Sequence, residues 1–360
     1  MHLLIRHVSR TLPNPLRVTL AFVWLAFIAC SAAKTVLAAA PTSHEFLVGV
    51  GGYELCMTAD SQTAYREDCP VEHTPVTHVL PGIAPNVNSV SIWITRDWQE
   101  SWYSIETLQK EFIDKGYTPV FLFYWFADEI TPTFIEQNAD AYRADLARLL
   151  KFIRQLDGPK WVVLDPEFNQ GAVNSYTAYN DFLIENIRAI KAVPDTLASF
   201  CLGDFGFYEN LEDQQNWQNF HPSIKKAAQE ADFISFQEMR AQTRNPQHHM
   251  ANTADRALAF ATYLHKTYQK PTYFAYLALS SYAHNADASD NQALQAHVYK
   301  RLAMLMPKFK TNAGLIGFSS FHLTDVPYHI GYFNEAEAFF GLRDKNGVEK
   351  PAFMPFTLIH

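Results

Sequence analysis

KWVVLDPEFN, residues 160–169, is the stretch that decides the predicted fold. Residues 161–164 form a continuous apolar run, which is typical of a strand buried on both faces in a parallel sheet. The run ends in two carboxylates, Asp165 and Glu167. Side chains at i and i+2 of a strand share a face, so both carboxylates are expected to point the same way. The alternative is a structural exit from the strand, with an Asx turn or a helix cap.

Apolar runs alternate with helix-like segments on both sides of this stretch. Eight strands alternating with helices predict an α/β fold of the (β/α)8 TIM-barrel class. A doubly wound open sheet is the alternative, but residues 49–52 lack the third glycine of a dinucleotide-binding turn. The predicted strands are residues 46–50, 89–95, 119–126, 161–164, 197–202, 232–238, 271–277 and 314–322. The predicted helices are residues 105–115, 133–156, 176–191, 223–230, 253–268 and 291–306.

The N-terminal segment differs from the rest of the chain. Three arginines precede an apolar run at residues 18–28, and the small residues 38–40 follow it. This pattern predicts an export signal over residues 1–40, with one barrel domain over residues 41–360 and a secreted or periplasmic location. An uncleaved membrane anchor is disfavoured because the run is short for a span. A lipoprotein modified at Cys30 is the other alternative.

Cysteine spacing predicts one disulfide. Cys56 and Cys69 would close a short loop in an exported chain and pin a Pro-dotted loop insertion near residues 56–88. Cys201 lies in an apolar run and is expected to be a buried free thiol. No Cys/His spacing resembles a zinc site. The pair His248-His249 is a metal candidate, but a polar loop is the favoured interpretation of it.

The charge balance bears on partners. Residues 1–40 contain 4 basic and no acidic side chains, so their removal leaves 25 Lys and Arg against 37 Asp and Glu, a net charge of −12. Basic patches dominate nucleic-acid affinity, so nucleic acid is not an expected partner. Stable membrane insertion is not expected after removal of the signal.

The expected barrel mouth collects aromatic and carboxylate side chains at the strand ends. Sugar C–H faces stack on aromatic rings, and sugar hydroxyls bind carboxylates and amides. A polysaccharide or oligosaccharide is therefore the predicted partner, with no cofactor and no metal expected. The predicted substrate-binding residues are Glu54, Tyr124, Trp125, Asp128, Asp204, Gln237, Tyr276 and His322.

Glycosidic bond cleavage usually requires two carboxyl groups, one as acid and one as nucleophile or base. Glu167 is the candidate acid, with Asp165 expected to raise its pKa by like-charge repulsion. Glu238, at the sixth strand, is the candidate nucleophile or base. The alternative for Glu238 is an ion pair with Arg240 or Arg244.

The roles of three other carboxylates stay open. Asp204 and Glu54 are substitutes for Glu238 in the second role. Asp325 is expected either to pair with His322 or to serve a structural turn.

The Asp165-Pro166-Glu167 step resembles the Asp-x-Glu end of the fourth strand in chitinase-like and lysozyme-like (β/α)8 glycoside hydrolases. The resemblance implies that Glu167 is the acid and that Asp165 orients substrate or stabilises charge. The longer acidic run of chitinases is absent, because Trp161 and Val163 occupy the earlier acidic positions. The retaining clan with Asn-Glu on strand four and Glu on strand seven is not matched either. The resemblance therefore reaches the superfamily and no individual family.

Two functional hypotheses remain. One is an exported glycoside hydrolase, and the other is a catalytically silent carbohydrate-binding barrel. A facing pair of carboxylates favours hydrolysis, whereas a second carboxylate held in an arginine pair favours binding alone. Serine chemistry ranks low, since there is no Gly-x-Ser-x-Gly motif and Ser280-Ser281 lacks a recognisable partner arrangement. A metal-dependent deacetylase would need an Asp/His/His set, and none has suitable spacing.

Overall fold

The computed structural model of the protein describes residues 45–51, 80–283, 288–327 and 329–360. The predicted export segment, Glu54 and both cysteines of the predicted disulfide lie outside these residues, as does most of the predicted loop insertion. Within the described part of the chain, no helix combines the length and apolar character needed to cross a membrane.

Eight strands close into a parallel barrel in chain order, which confirms the predicted (β/α)8 fold. Each strand pairs with its neighbours in sequence, and the last pairs with the first. The strands are β1 (Leu47–Val50), β2 (Ser89–Thr95), β3 (Thr118–Tyr124), β4 (Lys160–Leu164), β5 (Thr196–Gly203), β6 (Ile234–Arg240), β7 (Thr272–Leu279) and β8 (Leu315–Ser320).

The helices outside the barrel include four long ones. These are α1 (Pro132–Ile153), α2 (Tyr179–Lys191), α3 (Thr253–Tyr268) and α4 (Ala288–Asn312). α4 runs through Pro307 beyond its predicted end, because its last turns bury Phe309. The shorter helical segments are Leu80–Ile83, Glu100–Trp102, Ile105–Thr107, Leu108–Phe112, Ile113–Lys115, Ala127–Glu129, Gly171–Ser175, Gln214–Trp217, Gln218–Phe220, His221–Ile224, Ala227–Glu230, Gln247–Ala251, Glu335–Phe339 and Phe353–Thr357.

β4 is buried on both faces, as its sequence predicts. Trp161 and Val163 belong to the apolar cluster inside the barrel. Val162 and Leu164 belong to the larger cluster between the strands and the helices. The alternation directs strand-end side chains toward the mouth or toward the helix layer. An irregularity in β7 places both Ala275 and Tyr276 on the inner side.

The chain beyond β8 leaves the barrel wall. The predicted eighth strand extends to His322, but β8 ends at Ser320. The next residues form β9 (His322–Thr324), which pairs in parallel with β10 (Gly341–Arg343). Hydrogen bonds from the end of β7 hold the segment between them, since Ser280 Oγ donates to the Ala336 carbonyl at 2.6 Å. This C-terminal segment therefore lies against the C-terminal ends of the strands.

A buried ion pair fixes the C-terminal segment. Lys350 Nζ lies 2.5 Å from Asp325 Oδ1 and also donates to Ser281 Oγ at 2.8 Å and the Gly341 carbonyl at 2.9 Å. Asp325 thus pairs with Lys350, which agrees with the structural alternative for this residue and not with the alternative of a pair with His322. Burial raises the pKa of Asp325 to about 6, although Lys350 opposes the shift.

We predict that Lys350→Met lowers the free energy of unfolding by about 3–5 kcal/mol at neutral pH, because it leaves the Asp325 carboxylate buried and unpaired. Urea unfolding measures this loss. Arg188→Met is the control, since it breaks the more exposed Arg188–Glu230 pair and should leave the free energy of unfolding close to that of the wild type. Equal losses in the two variants would contradict the role given to Lys350.

Candidate functional site

The backbone at the end of β4 reverses the expected arrangement of its two carboxylates. Asp165 has φ 45° and Glu167 has φ 67°, so both residues are in the left-handed region and the strand alternation stops. Their backbone N–H groups donate to the Phe123 carbonyl at 3.0 Å and the Cys201 carbonyl at 3.2 Å. The two side chains therefore contact different layers, and the expectation that they share a face is wrong.

Asp165 lies in the helix layer. Its Oδ2 accepts hydrogen bonds from the Tyr179 hydroxyl at 2.6 Å and the Tyr142 hydroxyl at 3.2 Å. Both tyrosines belong to helices, so the carboxyl group faces away from the mouth. Burial raises the pKa of Asp165 to about 7, against the two tyrosine hydrogen bonds that lower it.

Glu167 faces the mouth. Its Oε1 accepts a hydrogen bond from the Tyr276 hydroxyl of β7 at 2.7 Å. Burial raises the pKa of Glu167 to about 7; the Tyr276 bond opposes the shift, while the charges of Asp128 and Glu337 add to it. The predicted cause was repulsion from Asp165, which is wrong, because the nearby charges that raise this pKa belong to Asp128 and Glu337.

Four aromatic rings form a cluster that includes Tyr276, the hydrogen-bond donor to Glu167. The Trp93 ring of β2 lies 5.5 Å from Tyr124, 5.3 Å from Tyr276 and 5.7 Å from Phe321, measured between centroids. The Tyr124 hydroxyl donates to Asp128 Oδ1 at 2.9 Å, which brings the exposed Asp128 to the same group. The structure thus assembles Glu167, Tyr276, Tyr124 and Asp128 as the sequence predicted.

Trp125 lies elsewhere. Its Nε1 donates to Asp145 of α1 at 2.7 Å, and its ring packs edge-on against Phe126 and Tyr142. It is almost fully buried between the barrel and the helices. Counting by two from Val120 along β3 would have placed Tyr124 inward and Trp125 outward.

Two buried polar atoms at the mouth have no protein partner among the described residues: Trp93 Nε1, a donor, and Gln237 Oε1, an acceptor. Gln237 pairs directly with Tyr276 of β7 and Gly203 of β5, so its side chain leaves the same inner face as Tyr276. An unmet donor and acceptor beside a carboxyl group suit a ligand rich in hydroxyls.

Glu337 is the site carboxylate that sequence reasoning missed. Its Oε1 accepts from the Phe333 N–H at 2.8 Å, and its Oε2 lies 3.3 Å from His329 Nε2. A Cβ at Gly331 would lie 2.5 Å from Glu337 Oε2, so glycine makes room for the carboxylate. Burial raises the pKa of Glu337. No strand precedes it directly, so no sequence pattern marks it.

His322 belongs to the same region as Glu337. Its Nε2 lies 3.4 Å from His329 Nδ1, and its ring packs on Phe321. Burial lowers the pKa of His329 to about 4 and that of His322 well below its usual range, so both imidazoles are neutral at pH 7. The two histidines therefore connect the Phe321 ring of the mouth with Glu337.

Glu238 and Asp204 form a separate, buried ionic network. Arg240 Nη2 lies 2.5 Å from Glu238 Oε2, and Arg256 Nε of α3 donates to Asp204 Oδ2 at 2.5 Å. Glu238 pairs in register with Leu277, whose side chain lies in the helix layer. The structure thus joins Glu238 to Arg240, the alternative weighed from sequence, and does not bring it to Glu167.

The network has a definite charge distribution. Burial raises the pKa of Glu238 well above its usual range, partly offset by Arg240. Burial works in the same direction on Asp204, but Arg256 and Arg240 outweigh it and lower the pKa of Asp204. Trp217 Nε1 also donates to Asp204 Oδ1 at 2.7 Å. The charged groups of this network therefore interact with one another.

Cys201 is a buried free thiol, as predicted. One group of three potential metal ligands lies close together in the described part of the chain: Glu209, His248 and His249. It includes none of the side chains around Glu167. The two histidines lie on the helix Gln247–Ala251, so the predicted polar loop is wrong there.

The comparisons with known proteins rest on structure. No family model and no curated protein matches the chain. Fungal β-1,4-galactanases match with TM-score 0.58 and 14% identity over 87% of this chain and 99% of theirs. A GH5_18 protein of Streptomyces cattleya, solved in complex with GlcNAc, matches with TM-score 0.56 and 14% identity over 88% of this chain and 80% of that protein. The endo-β-1,4-mannanase of Thermotoga petrophila matches with TM-score 0.54 and 13% identity over 88% of this chain and 76% of the mannanase. The chain shares their fold.

We predict that Asp165→Asn weakens the pH dependence of stability. An aspartate in the unfolded chain has a pKa near 3.9, whereas that of folded Asp165 is about 7. The folded state therefore holds an extra proton between these values, and its stability falls as pH rises, by at most about 1.4 kcal/mol per unit. The Asn variant has no carboxyl group at this position, so it lacks this contribution to the pH dependence of stability. Urea unfolding at pH 5, 6 and 7 measures the difference.

The matched control for this prediction is Asp181→Asn, which removes an exposed acid from α2. Its stability should follow that of the wild type at every pH. If the free energy of unfolding of Asp165→Asn changed with pH in parallel with that of the wild type, the raised pKa of Asp165 would be contradicted.

Proposed function

We propose that the protein is a glycoside hydrolase that cleaves O-glycosidic bonds of a polysaccharide or oligosaccharide, with Glu167 as the general acid. One observation carries the proposal: a half-buried carboxyl group with a pKa of about 7 stands at the C-terminal end of β4, inside an aromatic barrel mouth. This is the end of a (β/α)8 barrel where active sites lie. A pKa near 7 keeps part of the acid protonated at neutral pH.

Glu337 is our candidate for the second carboxylate. It faces the same region as Glu167, since its charge contributes to the raised pKa values of Glu167 and Tyr124. Its bonds to the Phe333 N–H and His329 hold it in place for attack on the anomeric carbon or activation of water. Asp128 is the substitute for this role. The ion pair with Arg240 removes Glu238 from it.

The aromatic mouth supports a sugar substrate. Trp93 and Tyr124, which are half-buried, provide ring surface for sugar C–H faces, and the buried Tyr276 packs against Trp93. We assign the Trp93 N–H and Gln237 Oε1 to substrate hydroxyls, because both are buried and lack a protein partner within the described residues. His322 supports the Phe321 side of the mouth. Asp165, Trp125 and Asp204 lie in the helix layer and have positioning roles in this proposal.

Three further observations bear on the substrate and the setting. The structurally similar galactanases and mannanase are named for β-1,4-linked polymers, so galactan and mannan are the first substrates to test. Residues 1–40 carry the pattern of an export signal, which supports a secreted or periplasmic enzyme, with lipidation at Cys30 as the alternative. A net charge of −12 after its removal disfavours nucleic acid.

The second candidate function is a catalytically silent carbohydrate-binding barrel. The observation that favours it is the arginine pair at Glu238, because the strand-end carboxylate first expected to act with Glu167 is held by Arg240. Under this alternative, Glu167 and Glu337 would bind sugar hydroxyls without chemistry.

We predict that Glu167→Gln lowers the rate of glycan hydrolysis by about 10²–10⁴-fold, since the leaving oxygen loses its proton donor. The loss should be much smaller on a 2,4-dinitrophenyl glycoside, whose leaving group departs without protonation. Glu337→Gln should lose activity on both substrates, because attack fails in each. Initial rates on a polysaccharide panel and on the aryl glycosides measure the difference.

Glu335→Gln is the matched control, since it changes an exposed glutamate two positions from Glu337. It should hydrolyse both substrates at the wild-type rate. Undiminished glycan hydrolysis by folded Glu167→Gln would overturn the assignment of the acid. Sugar binding without hydrolysis by the wild type would favour the silent barrel.

We predict opposite pH shifts from two neighbours of Glu167. Catalysis needs the protonated acid, so kcat/KM should fall as pH rises through about 7. Asp128→Asn removes a charge that raises this pKa, so the decline should move to lower pH. Tyr276→Phe removes the hydrogen bond that lowers it, so the decline should move to higher pH. Rate profiles from pH 4 to 9 measure both.

Asp140→Asn is the control for these profiles, because Asp140 is fully exposed on α1. Its profile should match that of the wild type. Shifts of the same sign in Asp128→Asn and Tyr276→Phe would show that another group controls the decline.

A further inference from the structure

We propose that Glu209, His248 and His249 form a binding site for one zinc-class transition-metal ion. The site joins two segments at the C-terminal side of the barrel. Glu209 lies between β5 and the helix Gln214–Trp217, and the histidines lie on the helix Gln247–Ala251, which follows β6. It contains none of the groups proposed for glycan hydrolysis, so the two proposals stand or fail separately.

The three ligand groups already converge. Glu209 Oε1 lies 2.8 Å from His249 Nε2, and Glu209 Oε2 lies 3.4 Å from His248 Nε2. One ligand atom from each residue falls within 4.8 Å of the others. The two imidazole centroids are 4.3 Å apart, at an interplanar angle of 65°. The carboxylate thus stands between two ring nitrogens, and small side-chain movements would allow all three to reach one ion.

The donor set suits zinc. Two imidazoles and one carboxylate form a common three-ligand zinc set, whose fourth position is filled by water. Imidazole also suits Cu²⁺ and Ni²⁺, whereas Ca²⁺ and Mg²⁺ prefer oxygen ligands. Glu209 and His248 are exposed, with 66% and 61% of their side-chain surface accessible, so an ion can enter from solvent. His249 is nearly buried, which gives the site a fixed inner ligand.

The segment that carries Glu209 is fixed at its base by other contacts. The Tyr208 ring contacts two guanidinium groups, with its centroid 3.7 Å from Cζ of Arg240 and 4.9 Å from Cζ of Arg256. The Phe207 N–H donates to Asp213 Oδ2 at 2.7 Å. Glu209 therefore leaves a restrained backbone toward the two histidines, and ion binding requires little additional ordering of the chain.

The site would restrain aromatic side chains beside the mouth. The same segment carries Phe205 and Phe207, which are exposed. A Cβ at Gly203 would lie 2.5 Å from the Phe205 ring and 3.0 Å from Gln237 Nε2, so Phe205 covers the end of β5 near Gln237. A bound ion at Glu209 would tie this segment to the helix after β6.

Isothermal titration of the tag-free, EDTA-treated, dialysed full chain with ZnCl₂ at pH 7.5 tests the site. We expect saturable binding of one ion at this site and a rise in melting temperature. His249→Ala and Glu209→Gln should each weaken the binding at least about 10-fold. CaCl₂ should give no saturable heat.

His297→Ala, at an exposed histidine of α4, is the matched control and should bind zinc as the wild type does. If His249→Ala does not fold, the more exposed His248→Ala replaces it. The proposal is overturned if the wild type shows no saturable binding, or if Glu209→Gln and the folded histidine variant retain wild-type affinity.

Discussion

The left-handed turn at Asp165–Glu167 is the constraint on which the candidate site depends. A regular strand would send both carboxylates to one side of the barrel wall. Positive φ at both residues instead delivers Asp165 to two tyrosine hydroxyls of the helix layer and Glu167 to the mouth. Left-handed backbone is unfavourable for residues with a side chain, so the surrounding contacts must hold it. The buried Asp165, bonded to Tyr142 and Tyr179, supplies those contacts.

The barrel keeps its charges in two separate layers. The mouth holds Glu167, Asp128 and Glu337. The charges of Asp128 and Glu337 add to the raised pKa of Glu167, and burial raises the pKa of both Glu167 and Glu337. The helix layer holds Asp204 and Glu238 against Arg240 and Arg256. Paired charges restrain structure, whereas carboxyl groups with raised pKa values can hold a transferable proton. Asp165 and Glu238 also have raised pKa values, but both lie in the helix layer, so the position of Glu167 at the mouth, together with its pKa, marks it as the acid.

The sequence predicts the fold well because parallel strands buried on both faces leave strong apolar runs. It also predicts Glu167, Tyr124 and Tyr276 at the mouth, since each residue lies within an apolar run or just after one. A strict count of two along β3 and β6 would have improved the site further, although the same count fails in β7, where Ala275 and Tyr276 both face inward. It places Ser235 and Gln237 inward and Glu238 outward, and it places Tyr124 inward and Trp125 outward. Residue types alone, without this count, do not separate the inward side chains at a strand end from the outward ones.

The position of Glu337 could not be predicted from the barrel pattern, and its physical origin explains why. β7 ends at Leu279 and is followed by Ser280 and Ser281, so this strand end supplies no carboxylate of its own. The serines instead hydrogen-bond the backbone of the segment that carries Glu337. Lys350 reaches Ser281 and Asp325 together, which ties that segment to the chain end.

Burying Glu337 near Glu167 and Asp128 costs free energy, since like charges approach in a poorly solvated place. The hydrogen bonds and the buried ion pair of the C-terminal segment offset this cost, because the segment cannot retreat from the mouth without breaking them. The stability of the C-terminal segment and the charge state of the mouth are therefore linked. A change that loosens Lys350 should let Glu337 move into solvent, and the pKa of Glu167 should then fall as one of the charges that raises it departs.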